Sequence, residues 1–340
     1  MTQNTLAKSA LLMLVISVVA VTWWEIHQRN RGVFISYDDN AALWADKRAM
    51  VYEPSDKATV FCGPSRIKFD LDIVEWEKKT GKHAIQLAIV GTSPLNILED
   101  LSNDPKFKGH LVVDLLEPLY FDLSPGSNRK PATFIKYYQD RTPSQLASFQ
   151  VNHFLESKFV FLDQNLALNR QLDELKIKNR PNVEAEPLFP EEFATCDFNR
   201  QTKMTPTFVR DTNLQRQVKN IWLYFIAEAG KAPKPTSDPI PIVINRTKVA
   251  VEKIKARGGD VVFLRMPCSG PFFQGEYEAF PRDRMWEPIL AATKCRGFHF
   301  RDYHAWDHFV CPEWSHLSPS DATVYTDALV DILPPSFSRQ

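Results

Sequence analysis

One serine in the sequence stands where a catalytic nucleophile would be expected. The apolar residues 60–62 lead into Gly63-Pro64-Ser65-Arg66, and a helical pattern begins directly afterwards. This order predicts a buried strand, a sharp turn with Ser65 at its tip, and a helix. At the carboxyl end of a parallel strand, the Ser65 hydroxyl would face the ligand crevice and its backbone N–H would lie near a helix N-terminus. Both are required for attack on an acyl carbon, although a serine after Gly-Pro is also typical of a plain turn or helix cap.

A histidine and an acid near the other end of the chain supply the partners that such a serine needs. In the segment 311–321, Glu313 precedes His316 by three residues. The segment follows the last predicted strand, so we expect it at the same sheet edge as Ser65. A serine nucleophile needs a general base within hydrogen-bond reach and a group that orients this base. We therefore interpret Ser65 as nucleophile, His316 as general base and Glu313 as orienting acid; the alternative for His316 is an exposed residue capping a helix.

Alternating strand and helix patterns predict the scaffold that would position these residues. The candidate strands are residues 60–62, 84–90, 110–116, 261–264 and 297–303. Helical patterns lie between them; one follows Ser65 and ends at Gly81, and the last is opened by Ser318-Pro319. Three strands separated by two helices form a βαβαβ unit, which implies a parallel sheet.

The first thirty residues do not belong to this scaffold. Residues 9–24 contain no charge and, together with Leu6 and Ala7, approach the ~20 residues that a membrane-spanning helix needs. A cleaved signal peptide is one alternative, but bulky Trp23 and Trp24 stand where a small-residue cleavage site is expected. A buried helix of a soluble domain is the other. We predict a signal anchor over residues 1–32, with the rest of the chain outside the cytoplasm.

Amino-acid composition argues against several classes of protein. Among 340 residues, 41 are lysine or arginine and 41 are aspartate or glutamate, so the absence of a basic excess argues against nucleic-acid binding. The five cysteines have no C-x-x-C spacing and no glycine-rich phosphate loop occurs, so we expect neither a metal site nor a cofactor. In an oxidising compartment Cys268, Cys295 and Cys311 would supply one disulfide, whose pairing the sequence leaves open.

Between the third and fourth candidate strands the alternation breaks. Residues 124–230 are polar and helix-rich, with helical periodicity at 143–154, 161–177 and 213–229. We interpret them as an insertion that is either a cap over the crevice or a face turned to the membrane or a partner. Residues 33–57 are expected to be a polar lead-in. The predicted divisions are an anchor with its flank (1–32), the two halves of an α/β domain (33–123 and 231–335) and the helical insertion between them (124–230).

Four short blocks resemble those of the SGNH (GDSL-type) hydrolase superfamily. Gly63-Pro64-Ser65-Arg66 resembles the nucleophile block, Val90-Gly91-Thr92-Ser93 the block whose glycine N–H joins the oxyanion hole, and Glu313-x-x-His316 the Asp-x-x-His block. Residues 265–271 and 280–282 resemble a subgroup of membrane-anchored bacterial cell-envelope proteins. The resemblance covers about residues 58–121 and 242–332. Each block is short, and their order and spacing make the resemblance fairly specific.

The resemblance implies both a fold and an activity. The fold would be α/β, a flavodoxin-like three-layer sandwich around a five-stranded parallel sheet, with the helical insertion and an N-terminal transmembrane helix added. The activity would be that of a serine esterase or O-acyltransferase on acyl, chiefly acetyl, esters of an envelope polysaccharide at the periplasmic side of a bacterial inner membrane. Partners would be the carbohydrate or acyl donor, the membrane and a membrane acyltransferase. Ser65 and Gly91 would form the oxyanion hole, and Arg66 and Arg265 would contact substrate.

Two departures from the family pattern support an alternative. Leu116-Glu117-Pro118 replaces the usual Gly-x-Asn of the third block, so the side-chain donor of the oxyanion hole is missing or comes from elsewhere, with Asn96 as the candidate. Losing one such donor costs about 2.7–4 kcal/mol of transition-state stabilisation in a protease. Glu313 also replaces the usual aspartate. The alternative is therefore a weak or inactive SGNH-like protein that binds a glycan or a biosynthetic partner.

Overall fold

A computed structural model describes residues 3–173, 187–231 and 237–338. The strands in this part of the chain are β1 (Ala58–Cys62), β2 (His83–Gln86), β3 (His110–Asp114), β4 (Ala194–Cys196), β5 (Thr202–Met204), β6 (Asp260–Arg265) and β7 (Arg296–His299). The α-helices are α1 (Gln3–Asn30), α2 (Ala41–Met50), α3 (Ser65–Asp70), α4 (Ile73–Thr80), α5 (Leu95–Asn103), α6 (Glu117–Tyr120), α7 (Pro125–Asp140), α8 (Pro143–Glu156), α9 (Leu168–Asp173), α10 (Pro206–Arg210), α11 (Thr212–Lys231), α12 (Pro239–Ala256), α13 (Gly270–Ala279), α14 (Trp286–Thr293), α15 (Pro319–Ile332) and α16 (Pro335–Ser338).

Five strands form one parallel sheet in the order β2-β1-β3-β6-β7, which confirms the predicted α/β class and the five-stranded parallel sheet. The chain passes from β1 to β2 on one side of β1 and then crosses to β3 on the other side. The direction of winding therefore reverses at β1. Ligand crevices in open α/β sheets open at such a point, outside the carboxyl ends of the strands.

Two apolar cores lie against the sheet, because consecutive strand residues point to opposite faces. Val60 and Val113 belong to one core, which helices α2, α5, α12 and α14 cover. Phe61 and Val112 belong to the other, which helices α3, α4 and α15 cover. Strands buried on both faces explain why the sequence shows nearly continuous apolar runs rather than strict alternation.

Three local predictions were wrong. The supposed lead-in contains α2, whose Trp44 is fully buried and donates from Nε1 to the Leu87 carbonyl at 3.0 Å. The helix after Ser65 is two helices, because Asp72 caps α4 by accepting the N–H of Glu75. The fifth strand stops at His299, where the chain tightens into a 3₁₀ turn instead of continuing to residue 303.

The insertion is less uniform than predicted. Helices α8 and α11 confirm the periodicity at 143–154 and 213–229. Over 161–173, however, short 3₁₀ turns and α9 replace the predicted long helix, and residues 174–177 lie outside the described part. Helix α7 packs against α2 and α5, so it belongs to a layer covering the sheet. A small antiparallel hairpin, β4–β5, was not predicted.

Helix α1 stands apart from both cores. Its residues 4–30 have a mean hydropathy of 2.0 over the most apolar window, and none of that window is buried. The helix is therefore long and apolar enough to cross a membrane. Unlike a core helix of a soluble protein, it is not buried along this window by any part of the chain that the structure describes.

All five cysteines are free, so the expected disulfide is not formed. Cys62, Cys196, Cys268 and Cys311 are buried, and Cys295 is half-buried. Burial raises the pKa of the Cys268 thiol to about 11, which keeps it protonated and unreactive. These side chains act as small apolar residues of the core.

Candidate active site

The turn after β1 carries Ser65 to the crevice edge of the sheet. Gly63 passes so close to β3 that a Cβ built on it would lie 2.7 Å from the Cβ of Asp114, and only glycine fits such an approach. Ser65 is then the first residue of α3 and is 9 % exposed. Its backbone N–H lies in the first turn, where the helix itself offers no acceptor.

Glu313 and His316 form a buried pair in the loop before α15. One carboxylate oxygen, Oε1, accepts the backbone N–H of His316 at 2.6 Å and lies 2.9 Å from its Nδ1. The two residues are 0 % and 1 % exposed. An ionised carboxylate only accepts hydrogen bonds, so Nδ1 carries the proton and Nε2 of a neutral imidazole is left as the acceptor. That is the tautomer a general base uses when it acts through Nε2.

Trp222 of the insertion completes the environment of Glu313. Its indole Nε1 donates to Oε2, the carboxylate oxygen that His316 does not use. The carboxylate is thus held from both sides, and its orientation is set by a residue 91 positions earlier in the chain. A group that orients the acid in this way also orients the imidazole, which is a positioning role.

Two contacts join the end of α3 to the loop of His316. The ring of Phe69 stacks on the imidazole with centroids 4.1 Å apart. Asp70 Oδ1 accepts the N–H of Leu317 at 2.8 Å. Because Ser65 and Phe69 are four residues apart on one helix, they share a face, with Cβ atoms about 5–6 Å apart. The serine therefore stands on the side of α3 that faces the imidazole.

The serine–histidine hydrogen bond is not formed in this structure. Among the described residues, Nε2 of His316 is buried without a hydrogen-bond partner. A buried acceptor without a partner costs about 1–3 kcal/mol, so it requires an explanation. Catalytic hydrogen bonds are often long or misaligned in ligand-free enzymes and tighten on substrate binding. An Nε2 held ready for the Ser65 hydroxyl fits this pattern.

Aromatic side chains cover the imidazole. Besides Phe69, the rings of Trp222 and Phe193 lie 6.1 and 6.3 Å from that of His316. Both come from the insertion and pack against a small apolar core that Phe208 of the insertion forms with Phe69 of α3. The insertion thus places Phe193 and Trp222 beside His316, and its role as a cap over the crevice stays a prediction. Such a cover excludes water and strengthens electrostatic interactions beneath it.

Arg66 and Arg265, the candidate substrate-binding residues, lie inside the protein. Arg66 makes a two-pronged ion pair with Glu276, at 2.9 and 2.5 Å. Arg265 reaches the same carboxylate at 2.5 Å and Glu117 at 2.6 Å. Burial alone would raise the pKa of Glu276, but the two arginines outweigh it and hold this pKa at about 2. Both guanidinium groups are occupied by protein carboxylates, and their contact with a substrate stays a prediction.

The candidate oxyanion-hole residues differ in their availability. Gly91 is exposed at the carboxyl end of β2 and has φ +70°, a conformation that favours glycine. Asn96 uses its side-chain amide to bond the Asn128 carbonyl at 3.3 Å. Glu117, in the segment Leu116-Glu117-Pro118 that stands in place of the expected third block, is paired with Arg265. The backbone N–H groups of Ser65 and Gly91 are therefore the better candidates.

Asp114 is a buried acid that the sequence analysis did not single out, although it ends β3 at the crevice. Among the described residues its oxygens have no well-aligned hydrogen bond, although the Met266 N–H is near enough to favour the charged form. Burial raises the pKa of Asp114 to about 7, against the opposing effect of Arg265 and Arg66. The Asp114 carboxyl thus titrates near neutral pH, at the end of β3, the middle strand of the sheet.

We expect Asp114→Asn to remove a pH dependence of stability. Between about pH 4, the pKa of an unfolded aspartate, and about pH 7, the folded state keeps a proton that the unfolded state has lost. The free energy of unfolding of the native chain should therefore fall as pH rises, by up to about 1.4 kcal/mol per pH unit from this group. Asparagine does not titrate, so the variant should gain stability relative to the native chain over this range.

The measurement is urea unfolding of the detergent-solubilised chain at several pH values in this window, followed by near-UV circular dichroism. Asp283→Asn, an exposed aspartate, serves as the control and should follow the native chain. Parallel pH profiles for Asp114→Asn and the native chain would contradict a raised pKa at this position.

Comparison of the chain with protein-family models finds no match, and comparison with curated proteins finds no significant match. The resemblance to the SGNH superfamily thus stays a prediction that rests on the short blocks in the sequence.

Proposed function

We propose that this protein is an extracytoplasmic serine esterase or O-acyltransferase of the SGNH type, acting on acyl esters of an envelope polysaccharide. The observation that carries the proposal is the buried Glu313–His316 pair. Its Nε2 has no hydrogen-bond partner within residues 3–173, 187–231 and 237–338, and it lies on the side of α3 where Ser65 stands. The strand order supports a flavodoxin-like three-layer sandwich as the scaffold, with the site at its point of reversal.

The proposed reaction begins with transfer of the Ser65 hydroxyl proton to Nε2 of His316 as Oγ attacks the acyl carbon. The oxyanion that forms would receive the N–H groups of Ser65 and Gly91. Collapse breaks the bond to the sugar oxygen, which takes the proton from Nε2 and leaves an acyl-serine. Water or another sugar hydroxyl then attacks, returns a proton through Nε2 and releases Ser65. Water completes hydrolysis, and a sugar hydroxyl completes transfer.

Helix α1 supports a location for this activity. As a signal anchor it would hold the α/β domain and its insertion at the periplasmic face of a bacterial inner membrane, within reach of envelope glycans and of a membrane acyltransferase. Its exposed apolar surface is the supporting observation. No cofactor enters the proposed chemistry, since nucleophile, base and oxyanion donors are all protein groups.

A non-enzymatic glycan- or partner-binding protein is the second candidate. It is favoured by the third-block position, where Glu117 is engaged by Arg265, and by the engagement of Asn96 with Asn128. A hole with two backbone donors and no side-chain donor would stabilise the transition state less, by about 2.7–4 kcal/mol. The two candidates differ in whether Ser65 is chemically activated.

Covalent labelling separates the two candidates. We expect a fluorophosphonate probe to label the full-length chain in detergent and to leave Ser65→Ala unlabelled, because only an activated serine attacks the phosphorus. Ser315→Ala is the matched control, since Ser315 is a buried serine of the His316 loop that contacts Arg66 at 3.4 Å and has no catalytic role in the proposal. Labelling that survives in Ser65→Ala, or an unlabelled native chain, would contradict the proposed enzyme.

A further inference from the structure

The end of helix α1 is attached to the insertion by side-chain hydrogen bonds. The Glu25 carboxylate accepts the backbone N–H groups of Val160 and Phe161 at 3.2 and 3.0 Å. Arg29 pairs with Glu25 at 2.6 Å and donates to the Lys158 carbonyl at 2.8 Å. Residues 157–162 are therefore held against the last two turns of α1.

Helix α8, which leads into this segment, has an unusual exposed surface. All of its 14 residues are described, and Phe149 is the buried one. Its sequence contains a single charged residue, Glu156, whereas a solvated helix normally presents charged residues outward. Val151 and Phe154, three residues apart, are each 58 % exposed. Phe159 in the following turn is 39 % exposed.

We propose that α8 and residues 157–162 form a platform that lies on the bilayer interface beside the anchor. Trp23 and Trp24 mark the end of the apolar stretch of α1, where aromatic residues sit at membrane surfaces. Glu25 follows directly, so the turn that it binds is expected within about one helical turn, roughly 5 Å, of the interface. The exposed apolar side chains of the platform then enter the outer part of the bilayer.

The side chains around the platform fit a lipid surface. The ammonium group of Lys158 lies 6.0 Å from the Phe154 ring, in the arrangement of a lysine that extends past apolar surface toward headgroups. Arg29 lies at the same level, with its charge paired with that of Glu25. Exposed aromatic and aliphatic side chains beside a lysine fit the apolar face of a helix that lies in the interfacial plane.

The platform would set the orientation of the catalytic domain. The insertion that contains α8 also contains Trp222 and Phe193, which cover His316. With α8 on the membrane, the domain is attached to the bilayer at two places, the anchor and the platform, instead of by the anchor alone. Two attachments hold a domain at a membrane more firmly than one.

The test uses nitroxide labels on cysteines introduced singly into the full-length chain in nanodiscs of phosphatidylethanolamine and phosphatidylglycerol. Val151→Cys reports the platform, and Ile16→Cys in α1 reports the anchor on which the proposal rests. Val324→Cys on α15 is the matched control, because this valine is also helical and is 52 % exposed, against 58 % for Val151. The native chain, whose cysteines are buried or half-buried, provides the labelling background.

Power saturation compares collisions with oxygen, which concentrates in lipid, and with a water-soluble nickel chelate. We expect the oxygen-to-nickel accessibility ratio at positions 16 and 151 to exceed that at 324 several-fold. A high oxygen-to-nickel ratio (a lipid signal) at position 16 with a low ratio (an aqueous signal) at position 151 would contradict the platform but not the anchor. Aqueous signals at both would overturn both. A label at 151 that neither reagent reaches would mean contact with a second protein copy, which also overturns the proposal.

Discussion

Alanine at Ser65 and alanine at His316 are each expected to lower kcat for a chromogenic acetyl ester by on the order of 10⁴–10⁶, and the double variant is expected to be no slower than either. In the proposed mechanism, nucleophile and base act as one unit, because Oγ attacks only as Nε2 removes its proton. Once one of them is gone, the other contributes little, and the remaining rate comes from binding and backbone donors. KM should change much less than kcat.

The measurement is steady-state turnover of the chromogenic ester, repeated with acetylated polysaccharide. His304→Ala controls for the loss of a histidine, because the His304 side chain is fully exposed and pairs with Asp307, three residues later. Near-UV circular dichroism checks that the variants keep the native fold. Unchanged turnover in Ser65→Ala, or losses in the two single variants that multiply in the double variant, would remove this pair from the mechanism.

Glu276→Gln is expected to lower the free energy of unfolding by about 3–5 kcal/mol, the range found when one partner of a buried ion pair is removed. In the native chain, Arg66 and Arg265 share the carboxylates of Glu276 and Glu117. In the variant, the guanidinium groups of Arg66 and Arg265 have one carboxylate left to share, that of Glu117. Both arginines are buried, 1 % and 3 % exposed, so water cannot replace the missing charge.

Glu276 also makes the free energy of unfolding depend on pH, in addition to the effect expected from Asp114. The pKa of Glu276 is about 2 in the folded protein, below that of an unfolded glutamate. Its contribution is therefore fully present above about pH 4.3 and is lost as pH falls through about 2. Urea unfolding at neutral pH tests the loss of stability, and the acid limb of the stability profile should flatten in the variant.

Glu278→Gln is the matched control for this prediction. It makes the same change two residues later on α13, at an exposed glutamate, where the effect should stay within about 0.5 kcal/mol. Equal stability of the Glu276 and Glu278 variants would mean that the buried charge network contributes nothing to the fold.

Much of the scaffold was predictable from local pattern. Strands β1, β3 and β6 are runs of apolar residues ended by glycine, proline or charge, and a parallel strand buried on both faces must look like this. The end of α4 followed from Gly81, which has φ +70°, and the start of α15 from Ser318, which accepts the N–H of Asp321. Such signals act over a few residues, so sequence alone reveals them.

Helix α2 shows where local pattern failed. Its sequence, AALWADKRAM, reads as mixed and polar, and Lys47 and Arg48 would be expected in solvent. Both are buried, because Arg48 binds Asp100 and Asp104 and Lys47 stacks over Phe198. Partners 50 to 150 positions away neutralise or cover these charges, and no window of neighbouring residues contains that information.

By itself, the sequence determined the residue types able to do chemistry, the parallel sheet that brings Ser65 and His316 toward one edge, and the apolar segment at the N-terminus. Only the tertiary structure decided how these residues are held. It joined Glu313 to Trp222, closed the rings of Phe69 and Phe193 over the imidazole, and paired Arg66 and Arg265 with Glu276. Burial is the physical reason, because removing a charge or imidazole from water makes its protein partners decisive, and those partners are chosen by packing between distant segments.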